Sequence, residues 1–138
     1  MTSTVLGGFQ ERPHTADWAL DVWAPDLIGL LRQAAQGMYA LMHARQQTGL
    51  RESYRFEIAA PDRETLLITF LSELLYFTQR DDVAFDRFEL THDGERLIAE
   101  AEGAPIESIA KEIKAVTYHN LAVRETARGL EATIVFDV

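Results

Sequence analysis

The 138-residue chain contains no cysteine, so it has neither a disulfide framework nor a thiolate zinc site. No apolar run reaches the roughly 18 residues that a membrane-spanning helix requires. The first residues, MTSTVLGGFQERPH, lack the basic n-region and continuous apolar h-region of a secretory signal. A cytoplasmic protein is therefore the expectation. Positive charge is also scarce: 13 Lys and Arg stand against 22 Asp and Glu, for a formal charge of −9. Nucleic-acid backbones select for the opposite balance, so no direct nucleic-acid binding is expected. Work near RNA would pass through a protein partner, one with a basic groove.

Several chemical signatures are missing as well. There is no G-x-G-x-x-G or G-x-x-x-x-G-K-[ST] nucleotide loop, no G-x-S-x-G nucleophile elbow and no H-E-x-x-H metal helix. No internal repeat, low-complexity segment or Pro/Gly/Ser-rich linker divides the chain. One domain over residues 1–138 is expected, long enough to bury a core.

What is present is a clear change of hydrophobic period along the chain. In PDLIGLLRQAAQGMYALMHARQQ, the apolar residues Leu27, Leu30, Leu31, Ala34, Met38, Leu41 and Met42 follow the i, i+3, i+4 spacing of one helical face. Pro25 and Asp26 suit its first turn. In PDRETLLITFLSELLYFTQR, the residues Leu66, Leu67, Phe70, Leu71, Leu74 and Leu75 repeat the pattern, with Asp62 as N-cap.

Elsewhere the period is two. Strands are expected in GFQERPHTADWALDVWA, YRFEIAA, VAFDRFELT with a break near Asp86, RLIAEAEG after the Asp-Gly turn of HDGE, EIKAVTYHNLAVRE, and LEATIVFDV after the turn TARG. GAPIESIAKE is expected to add a short helical turn before a strand beginning near Ile113. The sum is an α+β fold: a single domain with a mostly antiparallel sheet packed on two amphipathic helices.

Three stretches carry candidate chemistry. His14 and Asp17 in PHTADWAL admit three readings: a polar turn entering a strand, a hard-cation site through Asp17, or acid–base work by His14. Spacing does not decide among them. VTYHN places Thr117 and His119 on one strand face and Tyr118 on the other; a half-exposed strand with a satisfied histidine is the plain alternative. His43, at a helix end, and His92, in a hairpin turn, read as solvated surface. The last stretch, IVFDV, is a dense β run interrupted by Asp137 and followed by Val138. An apolar final strand is expected to be tied into the sheet, presenting the Asp137 carboxylate beside the α-carboxylate of Val138. Two hard oxygens so close suit Mg²⁺ or Ca²⁺ better than a soft metal.

Taken in order, HTADWAL, LIGLLRQAAQGMYALM, LLITFLSELLYF, EIKAVTYHNLAV and the closing EATIVFDV resemble the archease family. The resemblance spans most of the chain. It implies a small α+β fold and an accessory role: activating an RtcB-type RNA ligase in tRNA splicing and RNA repair by promoting guanylylation of the ligase histidine and multiple turnover. It also implies a divalent metal ion, Ca²⁺ or Mg²⁺, held by Asp17, Asp137 and Val138. His14, Glu73, Lys114 and His119 are carried over as site neighbours, with no catalytic residue of the chain's own. One departure is visible: the family often has an acidic pair in the middle helix, where this chain has Ser72 and Glu73. A binding module of chaperone type for an RNA-modifying enzyme is the alternative, and an independent metal-dependent phosphohydrolase a third reading.

Overall fold

The computed structural model describes residues 7–12 and 18–138. Eleven elements follow in chain order: β1 (Gly8–Arg12), β2 (Trp18–Ala24), α1 (Leu27–Leu41), β3 (Arg45–Gln46), β4 (Glu52–Ile58), α2 (Arg63–Asp81), β5 (Val83–His92), β6 (Leu97–Ser108), β7 (Ala115–Thr117), β8 (Arg124–Thr126) and β9 (Gly129–Asp137). Among the described residues every strand pairing is antiparallel. One sheet runs β1-β2-β9-β7, with β8 also pairing β9. The other is built on β6, which takes β5 on one side and β3 and β4 on the other. Both helices contact strands of both sheets, and a single hydrophobic core joins all these layers.

The helices form where the apolar spacing places them. Asp26 is the N-cap of α1, its Oδ1 accepting from the Gly29 amide at 2.7 Å; Asp62 caps α2 by accepting from Thr65 at 2.7 Å. Each satisfies one of the donors that a helix start leaves unpaired. All six expected apolar positions of α2 are buried, and Ile68 joins them. At Gly37 of α1 a Cβ would lie 2.5 Å from Leu20 Cδ2 and 2.9 Å from the Phe9 ring. Glycine there lets the β1–β2 ribbon lie directly on the helix.

The break near Asp86 is a β-bulge, where the β5–β6 register shifts between Phe85 and Arg87. Arg51 holds the extra residue, pairing with Asp86 at 2.5 Å and Glu102 at 2.8 Å.

Two expectations change. GAPIESIAKE forms no helical turn: β6 continues to Ser108, because the Ile106 amide donates to the Asp82 carbonyl while the Pro105 carbonyl accepts from Gln47. EIKAVTYHNLAVRE is not one strand but two short ones, β7 and β8. Between them Asn120 adopts φ 50° and the Leu121 amide turns back to the Tyr118 carbonyl. His119 therefore lies beyond β7, and the alternation that would pair its face with Thr117 does not reach it.

Candidate functional site

The final strand is tied down on both sides. β9 pairs β2 from Ala24↔Leu130 to Trp18↔Phe136, and β7 from Thr117↔Val135 to Ala115↔Asp137. Phe136 is fully buried, so the chain end is anchored by its penultimate apolar residue. Asp137 follows with its side chain exposed, and Val138 packs half-buried against the core. Among the described residues no hydrogen bond or ion pair engages the Asp137 carboxylate. Its main-chain carbonyl accepts from the Lys114 amide at 2.7 Å.

His14 and Asp17 lie outside the described residues. What the register establishes is the position of their neighbour: Trp18, bonded to Asp17, stands opposite Phe136, bonded to Asp137. The first and last strands of the two candidate motifs are thus adjacent.

Segment 113–123 runs antiparallel to α2. At one end Gln79 Nε2 donates to the Ile113 carbonyl at 3.1 Å and to that of Lys114 at 3.4 Å. At the other, the Val123 amide donates to Glu64 at 2.7 Å. The two helix anchors are about 22 Å apart at 1.5 Å per residue. Lys114 enters this arrangement through its backbone, its side chain being exposed. His119 is exposed, its amide donating to Thr117 Oγ1 at 3.3 Å and its Nε2 facing Asn120 Nδ2 at 3.4 Å. His43 and His92 are exposed surface groups; His92 Nδ1 accepts from the Gly94 amide in the hairpin turn.

The helix period separates Ser72 from Glu73. At about 100° per residue, Ser72 lies about 20° round α2 from Gln79, on the flank facing segment 113–123, and Glu73 about 120° away. Glu73 instead shares the flank of Phe77, which packs on Tyr54 of β4 with ring centroids 4.8 Å apart. Among the described residues no three His, Asp or Glu side chains converge as a ready-made metal cluster. At this end of the sheet the Asp137 carboxylate is an exposed hard donor.

Sequence reasoning passed over Trp18 and Lys111. The Lys111 ammonium sits 4.5 Å from the Trp18 ring centroid, fastening the loop after β6 to the start of β2. The aromatic directly after HTAD was the available signal.

The family model for the archease protein family (MTH1598/TM1083) matches residues 9–138. The chain belongs to the archease family. It is 31% identical to the archease of Methanosarcina mazei over 134 residues, covering 91% of this chain and 92% of that protein. The solution structure of protein 1598 of Methanobacterium thermoautotrophicum superposes with a TM-score of 0.73 at 25% identity, over 95% of this chain and 99% of that one. The crystal structure of a Thermotoga maritima archease, described as a possible chaperone, shares the fold with a TM-score of 0.71 at 22% identity, over 94% and 98% of the two chains. The archease fold thus accounts for the whole described architecture, both sheets and both helices. Among the described residues no helix is long and apolar enough to cross a membrane.

Proposed function

We propose that this chain is an accessory protein that activates an RtcB-type RNA ligase, using a divalent ion held by Asp17, Asp137 and the terminal carboxylate of Val138. Membership of the archease family supports the accessory role. The observation that carries the site is the register of β2 on β9, which sets the residue after Asp17 opposite the residue before Asp137. The donors present fit a hard ion: an exposed carboxylate with no described partner, next to a terminal carboxylate anchored by a buried strand. Such an ion, when bound, would offset negative charge on transferring phosphates during guanylylation of the ligase histidine.

The residues of the chain do the rest. Phe136 and the β7 and β2 ladders hold the two oxygens at a fixed edge of the sheet. The net charge of −9 steers the protein toward a basic RNA-binding groove, raising the encounter rate at low salt, and favours its departure before RNA binds. Single-turnover guanylylation of the ligase, with and without this protein and then with Asp137→Ala, tests the reading. Equal stimulation by wild type and variant would end the metal-site mechanism.

A second reading is a chaperone-type module for an RNA-modifying enzyme, favoured by the description of the Thermotoga maritima relative as a possible chaperone. It is separated by Asp17→Asn: lost ion binding with intact rescue of the partner selects it. Phosphoester turnover by the purified chain alone would select an enzyme instead.

A further inference from the structure

A cleft of about 230 Å³ opens between the C-terminal ends of the two helices and the loop that follows β6. Its floor is apolar and preformed: Met42 is 2% exposed, Leu75 4% and Ile113 0%. Its lip is Ile109, one of few large hydrophobic side chains left exposed among the described residues, at 39%. The rim carries two carboxylates, Asp82 and Glu112, both exposed. Among the described residues, no Lys, Arg or His lines the cleft. The nearest lysine in sequence, Lys111, is directed to the Trp18 ring.

The cleft is walled by a short strap rather than by a free loop. The amides of Ala110 and Lys111 both donate to the Met42 carbonyl, at 3.0 and 3.3 Å, and Gln79 holds the carbonyls of Ile113 and Lys114. A preformed wall lowers the ordering cost of binding.

We propose that this cleft is a docking pocket for a basic protein segment that inserts one aliphatic side chain. The volume accommodates a single Leu- or Met-sized group. The apolar floor accounts for that group, and the two rim carboxylates select Lys or Arg on either side of it. The same charge arrangement disfavours a second copy of this acidic chain as the occupant. The pocket adjoins the candidate metal site, since Ile113 in its floor is followed by Lys114, whose amide bonds Asp137. This inference takes from the proposed function only that the partner is a protein.

The test uses the purified full chain with isotope-labelled isoleucine methyls and three capped tripeptides: Arg-Leu-Arg, Glu-Leu-Glu and Arg-Ser-Arg. Arg-Leu-Arg is expected to shift the methyls of Ile106, Ile109 and Ile113 saturably, with a dissociation constant on the order of 1 mM, leaving Ile28, Ile58 and Ile134 unmoved. The other two peptides are expected to bind at least tenfold more weakly. Asp82→Asn with Glu112→Gln is expected to weaken Arg-Leu-Arg several-fold and to reduce its salt dependence, and the exposed position of Ile109 makes Ile109→Ser a fold-preserving control that loses the effect. Scattered or non-saturable shifts, or equal response to Glu-Leu-Glu, would overturn the proposal. So would shifts that depend on chain concentration without peptide, which would make a second copy the occupant. Ligase stimulation is measured separately, so peptide binding without stimulation removes the proposed partner and leaves the pocket, and the reverse outcome does the opposite.

Discussion

The amide of Lys114 donates to the main-chain carbonyl of Asp137 at 2.7 Å, just before β7 pairs with the end of β9. That bond joins the strap crossing the ends of the helices to the residue carrying the candidate ligand. Beside that main-chain bond, the side chain of Gln79 on α2 anchors the strap by donating to the carbonyls of Ile113 and Lys114. Neither carbonyl that Gln79 holds is part of a β-ladder, so the order of the site edge depends on a helix side chain.

Gln79→Ala should therefore act locally. Removing a partly exposed hydrogen bond of this kind costs about 1 kcal/mol or less of global stability. The Lys114 amide, which opens with the strap, should exchange at least about tenfold faster, while amides in the β2–β9 ladder keep their protection. Hydrogen exchange followed residue by residue reads both effects. Unchanged exchange at Lys114 would show that β7 alone holds the edge.

Between the helices, the hydroxyls of Tyr39 and Thr78 meet at 2.7 Å. Tyr39 is 7% exposed and Thr78 4%, and burial pushes the Tyr39 phenol well above its ordinary range. Tyr39→Phe strands the Thr78 hydroxyl, whose loss is expected to cost about 1–3 kcal/mol. Thr78→Val removes the other partner at nearly constant volume. The double variant should recover part of the sum, because no donor is then left unmet. Denaturant unfolding of all four proteins measures the coupling, and strict additivity would mean the two hydroxyls do not act as a pair.

Gly129 opens β9 at φ 101°, with the Ala24 carbonyl occupying the space a Cβ would need. A side chain is strained there by backbone conformation and blocked by backbone atoms that cannot rotate away. Gly129→Ala is expected to destabilise by about 2–4 kcal/mol, seen as a lower denaturation midpoint. A loss below about 0.5 kcal/mol would mean the TARG turn can shift away from Ala24.

These sites also show which parts of the structure the sequence reveals. The helices were legible because burial repeats at i, i+3 and i+4, and Asp62 could be read as a cap from its place before Leu66. The break at Asp86 was legible because alternation fails there, although only the Arg51 contacts show that the extra residue is held as a bulge. Segment 113–123 misled because Val116, Thr117 and Tyr118 favour strands locally. Its path is set instead by Gln79 and Glu64 on a helix far away in sequence, a tertiary preference that overrides β-propensity. The site shows the same division. Asp137 stands out in a β run, but its relation to the start of the chain rests on a pairing between β2 and β9 that no local pattern contains. Glu73 shows the opposite limit, since adjacent residues on a helix face different partners.

Two surface carboxylates give stability an acid limb. Hydrogen bonds from Arg128, then from Thr126, lower the Glu131 pKa from 4.5 to about 2. Those from Arg80, then Tyr54, lower Asp81 from 3.8 to about 2. Both folded-state values lie below the unfolded ones, so the unfolded chain binds more protons in this range and stability rises with pH. The contribution is complete above about pH 4.5 and is lost as pH falls toward 2. Because the pairs are exposed, salt should flatten the limb by screening them. Glu131→Gln should remove its share of the slope below pH 4.5. Above that pH it still loses the ion pair with Arg128, which sits 3.9 Å over the Trp23 ring. The decisive quantity is the urea midpoint from pH 6 to pH 2 at low and high salt. An identical slope for Glu131→Gln and wild type would show that the Arg128 pair does not hold the Glu131 proton affinity down in solution.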